Sequence, residues 1–407
     1  MTVESVLNPQ SSEVDLDHLV EIRRHLHRNP ELRFEEMKTS GYLASLIEPL
    51  VDRLERGVGG TGLLAMIDGA ASGPRVLLRA DMDAYPVTEA TSASYESTVP
   101  GVAHACGHDA HMTVMYGVLS RLAAQRPERG SVSFLFQPAE EVPFGQRSGA
   151  RTVLESGRLA RTYDAILGLH CWPALPAGTV GIDPKISMAA KDGFKIEVAG
   201  IGAHAATPAH GRDALLTLCI VVAALHATLS RRRNPDEMMA FNIGTITGGA
   251  SQSLVAPTAA VTGTLRTHDE GVRARMKETI EQVCKGSGIQ QDASVDLVWS
   301  DEMPAVVNAS SLVNLALSCL GEVAVVEEIA TPPMTSDDFA LLTSLGPSLY
   351  LKLGVAEAGA ALPSSLHSPT FDIDEACLRT GVQTMERLTR AVLSSTERNR
   401  SERESDH

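Results

Sequence analysis

The spacing of apolar and polar residues indicates alternating helices and buried strands in the first part of the chain. Apolar residues recur at helical spacing over 16–26, and Asn29-Pro30 ends that predicted helix. A second helical pattern covers 35–48. Short, continuous apolar runs then predict buried strands at 63–67, 76–80, 132–136 and 165–169, with a helix over 111–124. Such runs are typical of an α/β unit whose sheet is covered on both faces.

The pattern changes near residue 186. Phe194, Ile196 and Val198 alternate with polar residues, which predicts a strand with one buried face. The longest apolar run, LCIVVAAL at 218–225, predicts a buried helix. The elements that we expect in this stretch are a helix at 213–230, strands at 240–247 and 259–266, a helix at 271–285 and a strand at 294–299. They predict a smaller α+β layer with a one-sided sheet.

From about residue 300 the first pattern returns, with a helix at 309–320, a strand at 348–353 and a long helix from 374. We therefore predict one α/β domain, formed by 1–185 and 300–407, that is interrupted by an inserted domain at 186–299. The polar tail from Ser394 onwards is expected to be disordered.

Composition and charge narrow the class of protein. The 407 residues are 43% hydrophobic and 21% charged, which is ordinary for globular domains, and the net charge of -15 argues against nucleic acids and anionic membranes as partners. None of the six cysteines lies in a CxxC pair, so we expect no disulfide framework.

The N-terminus lacks the basic start and apolar core of a secretory signal, and no apolar run is long enough to span a membrane. A cytoplasmic protein is therefore expected.

Residues that can bind metals occur in five places, most of them where an apolar run ends. They are Asp81 and Asp83 after VLLRA, Cys106 and His108 at the start of a helix, Glu140 and Glu141 after FLFQPA, His170 after AILGL, and His367 in the loop LPSSLHSP. In open α/β sheets, sites form outside the carboxyl ends of the strands. Thiolate, imidazole and carboxylate together suit borderline divalent ions. Of two adjacent glutamates, one can bind a metal while the other moves a proton, so the pattern predicts a two-metal hydrolytic site.

Each of these residues alone also has an ordinary structural explanation, and only their joint occurrence favours the site. We expect His111, one turn after His108, to be structural. A cysteine hydrolase with Cys106 as nucleophile and His108 as base is an alternative, but the two side chains would have to meet across Gly107. A non-catalytic binding protein is a third possibility, against which the intact Glu140 argues.

Five segments, in this order, carry a resemblance to a known family: HACGHDAHM, FLFQPAEE, GLHCWPALPAGTVGI, GIGAHAATP and LHSPTFDIDE. They resemble the dinuclear metallo-aminoacylases, a group that includes hippurate hydrolase, the plant auxin–amino-acid conjugate hydrolases and N-acetyldiaminopimelate deacetylase. The resemblance runs from residue 23 through the last predicted helix. It implies a metallopeptidase-type α/β catalytic domain with an inserted lid and dimerisation domain, a homodimer, and hydrolysis of an N-acyl amino acid. A dipeptidase or carboxypeptidase with the same site is the near alternative.

The resemblance also implies roles for individual residues. Two zinc or manganese ions would be held by Cys106, His108, Glu141, His170 and His367. Glu140 would be the general base, and Asp81 or Asp83 would hold a ligand histidine or polarise the site. His204 would stabilise the oxyanion in the partner subunit's site, and Arg266 is a candidate clamp for a substrate carboxylate.

Three departures from the family pattern affect the choice of substrate. The segment 142–147 is bulkier than the glycine-rich stretch usual in relatives and should reshape one pocket wall. Ser253, a candidate substrate contact, stands where relatives often have Asn, and Asp337 stands where they often have Glu. The sequence therefore leaves the acyl group and the amino acid open.

Overall fold

The computed structural model describes residues 14–143, 145–357, 359 and 365–395. The helices are α1 (Leu16–Arg28), α2 (Met37–Ile47), α3 (His108–Ala124), α4 (Gly149–Glu155), α5 (Ala214–Arg232), α6 (Glu270–Gln291), α7 (Ser310–Cys319), α8 (Phe339–Leu342) and α9 (Cys377–Ser394). The first eight strands are β1 (Arg53–Val58), β2 (Gly62–Asp68), β3 (Ala71–Asp81), β4 (Arg129–Gln137), β5 (Ala165–Pro176), β6 (Thr179–Ile182), β7 (Ile186–Met188) and β8 (Ala190–Ala199). The others are β9 (Ala203–His204), β10 (Met239–Gly248), β11 (Leu254–Val255), β12 (Thr258–Thr267), β13 (Ser294–Met303), β14 (Val306–Val307), β15 (Val325–Glu328) and β16 (Ser348–Ala356).

A mixed eight-stranded sheet forms the larger part of the molecule, in the order β1-β2-β4-β3-β5-β16-β6-β15. Strands β4, β3, β5 and β16 run parallel to one another. Alternate residues of the same strands enter separate cores, because successive side chains of a strand point to opposite faces. Thus Val76 and Leu78 belong to one core, and Leu77 to the other. The predicted α/β class, with both sheet faces covered, is confirmed.

A four-stranded antiparallel sheet, in the order β10-β12-β8-β13, forms a separate layer. Phe194, Ile196 and Val198 of β8 are buried against α5 and α6 in a third core, as their alternation predicts. Capping side chains help to start both helices: Asp213 accepts hydrogen bonds from the first turn of α5, and Asp269 accepts one from Val272 of α6. The domain boundaries at 186 and 299 remain our prediction.

Helix α5 differs from its prediction in one respect. It forms where expected, but it is buried along one face only, and Leu216 on the other face is 54% exposed. By length and composition alone this helix could cross a membrane, and one third of its most apolar window is buried in the fold. The helix therefore has apolar side chains on two faces. One face packs on the small sheet, and the other is exposed.

Other expectations fall partly outside the described residues. All six cysteines are free thiols in this structure. The first 13 residues, and residues 396–407 of the tail that we expect to be disordered, are not among those described. A cytoplasmic location remains a prediction.

Candidate metal centre

Three neighbouring strands of the large sheet deliver the predicted residues to one edge. Strand β3 lies between β4 and β5 and ends at Asp81, which pairs in register with Gln137, the last residue of β4. Glu140 and Glu141 follow three and four residues after Gln137. His170 lies within β5, at the level of Asp81, because Arg79 is in register with Gly168. The strand ends therefore converge as the sequence predicts.

A glycine turn brings Cys106 and His108 to the same place. Gly107 has a φ of 84° and caps α3, and a Cβ atom on it would lie 2.7 Å from the Sγ atom of Cys171. Only glycine fits both the backbone angle and this close approach. His367 also has a positive φ, of 63°, and its backbone N–H donates to the carbonyl of Ala105 at 2.8 Å. That bond ties the late histidine to the segment that carries Cys106.

Six side chains of the predicted site form three overlapping groups that could hold metal ions, and within each group the ligand atoms lie within 4.8 Å of one another. The groups are Cys106 with His108 and His170, Cys106 with Glu141 and His367, and His108 with Glu140 and Glu141. The Nε2 atom of His367 lies 2.7 Å from Glu141, and that of His170 lies 3.4 Å from the Cys106 Sγ atom. Sulfur, nitrogen and oxygen donors of this kind suit zinc and related divalent ions.

The hydrogen bonds of His108 and His170 leave one nitrogen of each ring directed at this cluster. The Nδ1 atom of His108 donates to the backbone carbonyl of Asp83 at 2.8 Å, and that of His170 donates to the carbonyl of Cys171 at 2.8 Å. The Nε2 atom of His108 is buried and has no hydrogen-bond partner within the described part of the chain. Because unsatisfied buried nitrogens are rare, this atom fits a metal ligand.

Asp81 and Asp83 lie beside the candidate ligands, and each has its own set of hydrogen bonds. The carboxylate of Asp83 accepts hydrogen bonds from the backbone amides of Glu140 and Glu141, at 3.0 and 2.8 Å. It fixes the turn that carries both glutamates, while its backbone carbonyl holds His108. Neither carboxylate forms a hydrogen bond to a proposed ligand histidine, since the nearest approaches to His108 are 3.5 Å.

The carboxylate of Asp81 instead accepts a hydrogen bond from His111, whose Nδ1 atom lies 2.6 Å away. The Nε2 atom of the same ring accepts from the backbone N–H of Cys171 at 2.8 Å, so both ring nitrogens are occupied. His111 is therefore structural, as expected from the sequence.

A buried arginine, Arg79, lies next to the site and has little signature in the sequence. Arg79 donates to Asp81 at 2.7 Å and to Asp338 at 2.8 Å, and it also contacts Asp337. Tyr350 donates a short hydrogen bond to Asp337. The only signal in the sequence was a charged residue inside the apolar run VLLRA. This network holds the end of β3 against the 337–338 segment.

Electrostatics at the site favour added positive charge. Burial by itself lowers the pKa of His108, but Asp81 and Asp83 outweigh burial and raise it to about 10. Desolvation and the neighbouring Glu141 raise the pKa of Glu140 well above its usual range. Burial also raises the pKa of the Cys106 thiol. Crowded carboxylates and a buried thiol of this kind are stabilised by a bound cation.

A cavity of about 650 Å³ opens from the cluster towards the small sheet. Arg266 of β12 lines it and donates to the Met334 carbonyl and to Ser336, both at 3.0 Å. The predicted wall formed by 142–147 contributes Val142, Gln146 and Arg147, while Phe144 is outside the described residues.

His204 and Ser253 do not line this cavity. They lie together on an exposed two-stranded ribbon, in which Leu254 pairs with His204 and the Ser253 carbonyl accepts from Ala205. The structure therefore separates these two predicted residues from the metal cluster of their own chain.

Comparisons with known proteins agree with this architecture. The model of the peptidase family M20/M25/M40 matches residues 77–391. The chain is 35% identical over 374 residues to N-acetyldiaminopimelate deacetylase of Bacillus subtilis (strain 168), across 91% of this chain and 97% of that protein. It is 32% identical over 379 residues to N-acetyl-L-cysteine deacetylase of the same organism, across 93% and 89%.

A solved structure shares the whole fold. The crystal structure of the Bacillus subtilis YXEP protein, a dinuclear metal binding peptidase from the M20 family, has a TM-score of 0.80 and 29% identity, and the match covers 94% of this chain and 99% of that one. The fold, the cluster of candidate ligand residues and these matches lead to one conclusion: the chain belongs to the peptidase family M20/M25/M40 and is a hydrolytic enzyme.

Proposed function

We propose that this protein hydrolyses the amide bond of an N-acyl amino acid to a carboxylate and a free amino acid. The observation that carries the proposal is the position of Glu140 beside a cluster of candidate metal ligands in a substrate-sized cavity. The deacetylase relatives act, by their names, on N-acetyl amino acids. This resemblance supports an acetyl or similar acyl group.

Two divalent metal ions, zinc or manganese, would complete the site. Their ligands would be Cys106, His108, Glu141, His170 and His367, whose donor atoms fit such ions. When bound, the ions would polarise the scissile carbonyl and lower the pKa of water. The Cys106 thiol would lose its proton on binding, since only the thiolate is a strong ligand.

Glu140 would be the general base. Its carboxylate would accept a proton from the attacking water and pass it to the leaving amine nitrogen. Two features of the chain suit this role. Asp83 holds the Glu140 backbone in place. Burial, together with nearby carboxylates, raises the pKa of the Glu140 side chain, which favours accepting a proton.

Arg266 would bind the carboxylate of the substrate. Its guanidinium faces the cavity and is bound only by a carbonyl and a hydroxyl group in the described part of the chain, so its charge is not neutralised by a carboxylate. Burial lowers the pKa of Arg266, and the electrostatic influence of Glu140 opposes this effect. An anionic group next to Arg266 would therefore lie close to the general base, where the amide must be.

His204 would act from a partner subunit in a homodimer. Its exposed position, away from its own cavity, fits a role in trans. Leu254, which pairs with His204, is 40% exposed, and Ile201, Leu215 and Leu216 of the same part of the chain are also at least 38% exposed. A dimer that covers these residues would bury them and carry His204, with Ser253 beside it, to the partner's site, where it would donate to the developing oxyanion. We propose 186–299 as the domain that mediates this contact.

A panel of N-acyl amino acids tests the proposed function. The metal-loaded enzyme should release free amine from N-acetyl amino acids, and a chelator should abolish turnover. Faster cleavage of dipeptides than of N-acetyl amino acids would favour the dipeptidase or carboxypeptidase alternative. Turnover that survives chelation and stops on alkylation would favour the thiol hydrolase, although the raised pKa of the Cys106 thiol argues against a free thiolate nucleophile. Binding without turnover would identify a binding protein.

A further inference from the structure

One wall of the cavity carries two cationic residues side by side on neighbouring strands. Lys191 of β8 pairs in register with Arg266 of β12, and both line the cavity. Residues opposite each other on neighbouring antiparallel strands have Cβ atoms about 4.5–5.5 Å apart, and like charges in such positions destabilise the pair. Two facing cations inside a cleft therefore favour an anionic ligand that both can reach.

The acidic residues of the cavity do not neutralise Lys191. Glu302 binds Lys277 at 2.5 Å, Glu155 binds Arg147 at 2.6 Å, and Asp337 contacts the buried Arg79. The other two acidic residues of the cavity belong to the candidate metal cluster: Glu141 lies 2.7 Å from His367, and Glu140 is next to it. Among the residues that the structure describes, Lys191 forms no ion pair and no side-chain hydrogen bond. Its ammonium group is therefore available to a ligand.

The surroundings extend this positive wall. On the other side of β8, Lys191 pairs in register with Met303 of β13. The residue before Met303, Glu302, accepts a hydrogen bond from Arg151 at 3.3 Å through its backbone carbonyl. Arg151 also lines the cavity, and in the described part of the chain it binds no carboxylate. Lys191 therefore lies on the central strand of three. Arg266 is on the neighbouring strand on one side, and on the other side is the strand whose Glu302 carbonyl binds Arg151.

We infer that Lys191 forms a second anionic subsite, so that the preferred substrate is an N-acyl derivative of an acidic amino acid. This inference rests on the proposed function, in which Arg266 binds the α-carboxylate. The second carboxylate belongs to the same amino acid, because Lys191 adjoins Arg266 on the neighbouring strand. In aspartate and glutamate the two carboxylate carbons are separated by two or three carbon atoms, a span that matches neighbouring strands.

Paired substrates of equal shape test the inference. The metal-loaded wild type should hydrolyse N-acetyl-L-glutamate with a kcat/KM about tenfold or more above that of N-acetyl-L-glutamine, as expected for a charge-assisted contact. In Lys191→Met this ratio should fall towards one, mainly through a higher KM for the glutamate substrate. Lys195→Met, four residues further along the same strand and outside the cavity, should keep the wild-type ratio.

Three results would overturn the inference. They are a wild-type ratio near one, a ratio that Lys191→Met leaves unchanged, and a Lys191-dependent preference for N-succinyl-L-methionine over N-acetyl-L-methionine, which would move the second anion to the acyl group. Hydrolysis of neutral N-acetyl amino acids without a preference for glutamate would leave the proposed function standing. If no N-acyl amino acid is hydrolysed, the proposed function fails. In that case the affinity for N-acetyl-L-glutamate, measured by calorimetry, tests the subsite separately. Lys191→Met should bind this ligand more weakly than the wild type, and equal affinities would overturn the subsite.

Discussion

The Nδ1 atom of His108 donates a hydrogen bond to the carbonyl oxygen of Asp83, at 2.8 Å. This bond fixes the ring so that Nε2 points into the cluster, where the described residues offer it no hydrogen-bond partner. The carboxylate of the same aspartate holds the backbone of Glu140 and Glu141. One residue therefore orients a proposed metal ligand, the proposed base and a second ligand relative to each other.

The two adjacent glutamates should separate into a base and a ligand. Glu140→Gln keeps the shape of the side chain but removes the proton acceptor, so turnover should fall by about 10²–10⁴-fold with metal retained. Glu141→Gln should lose metal as well as activity. Metal analysis of both purified variants measures the difference, with Glu128→Gln on an exposed turn as the control. Equal metal loss in the first two variants would contradict the division of roles.

Cys106 should bind metal as a thiolate. Because a proton competes with the metal, affinity should weaken as the pH falls, and Cys106→Ala should lose metal and activity together. The thiol is 6% exposed at the cavity floor, so it should resist alkylation in the loaded enzyme and react after chelation. A Cys219→Ser background removes the exposed cysteine from the mass-spectrometric readout. Rapid alkylation of the loaded enzyme without loss of metal would argue against ligation.

His204 should act in trans. His204→Ala should lower turnover with its metal content unchanged. When this variant is mixed in equal amounts with Glu140→Gln under conditions that exchange subunits, about a quarter of wild-type activity should return, because half of the dimers are mixed and each rebuilds one complete site. Purified mixed dimers should show about half. The assignment would be wrong if verified mixed dimers recovered no activity, or if a monomer were fully active.

A buried ionic cluster behind α3 predicts a dependence of stability on pH. His27 lies 2.8 Å from Asp109 and 3.1 Å from Glu89 through its two ring nitrogens. Burial opposes protonation, but the two carboxylates outweigh it and raise the pKa of His27 to about 9. Since this value exceeds that of an unfolded histidine, the stabilisation is complete below about pH 6.5 and is lost as the pH rises through 9.

Urea denaturation of His27→Gln measures this effect. The difference in free energy of unfolding between wild type and variant should be largest near pH 6 and should shrink by roughly 3 kcal/mol by pH 9.5, the equivalent of the pKa shift. His25→Gln, exposed on the same helix, should show no such trend. A difference that stays constant or grows towards high pH would mean that His27 is not held protonated.

The sequence predicts much of the site because the relevant residues are adjacent to strong local patterns. Asp81 and His170 directly follow short apolar runs that predict buried strands, and Glu140 and Glu141 come shortly after a third such run. The carboxyl ends of these strands meet in any parallel arrangement. The positive φ of Gly107 also has a local signature, since a glycine separates Cys106 from His108.

Other features depend on contacts between distant segments and have no local pattern. Arg79 binds Asp338 across more than 250 positions of sequence, so only a charge within an apolar run could indicate its importance. Short strands such as β6 and β15 contain too few residues to show a periodicity. The outward face of α5 is apolar like its buried face, so hydropathy alone could not reveal that the helix is half-exposed.

The most direct test of the account is a titration of metal-free protein with zinc or manganese while free amine released from an N-acetyl amino acid is measured. Activity should be absent without metal, should rise with added ion and should reach its plateau when two ions are bound per chain. Glu140→Gln should bind the same number of ions and stay inactive. Equal rates of amine release with and without metal would contradict the central claim.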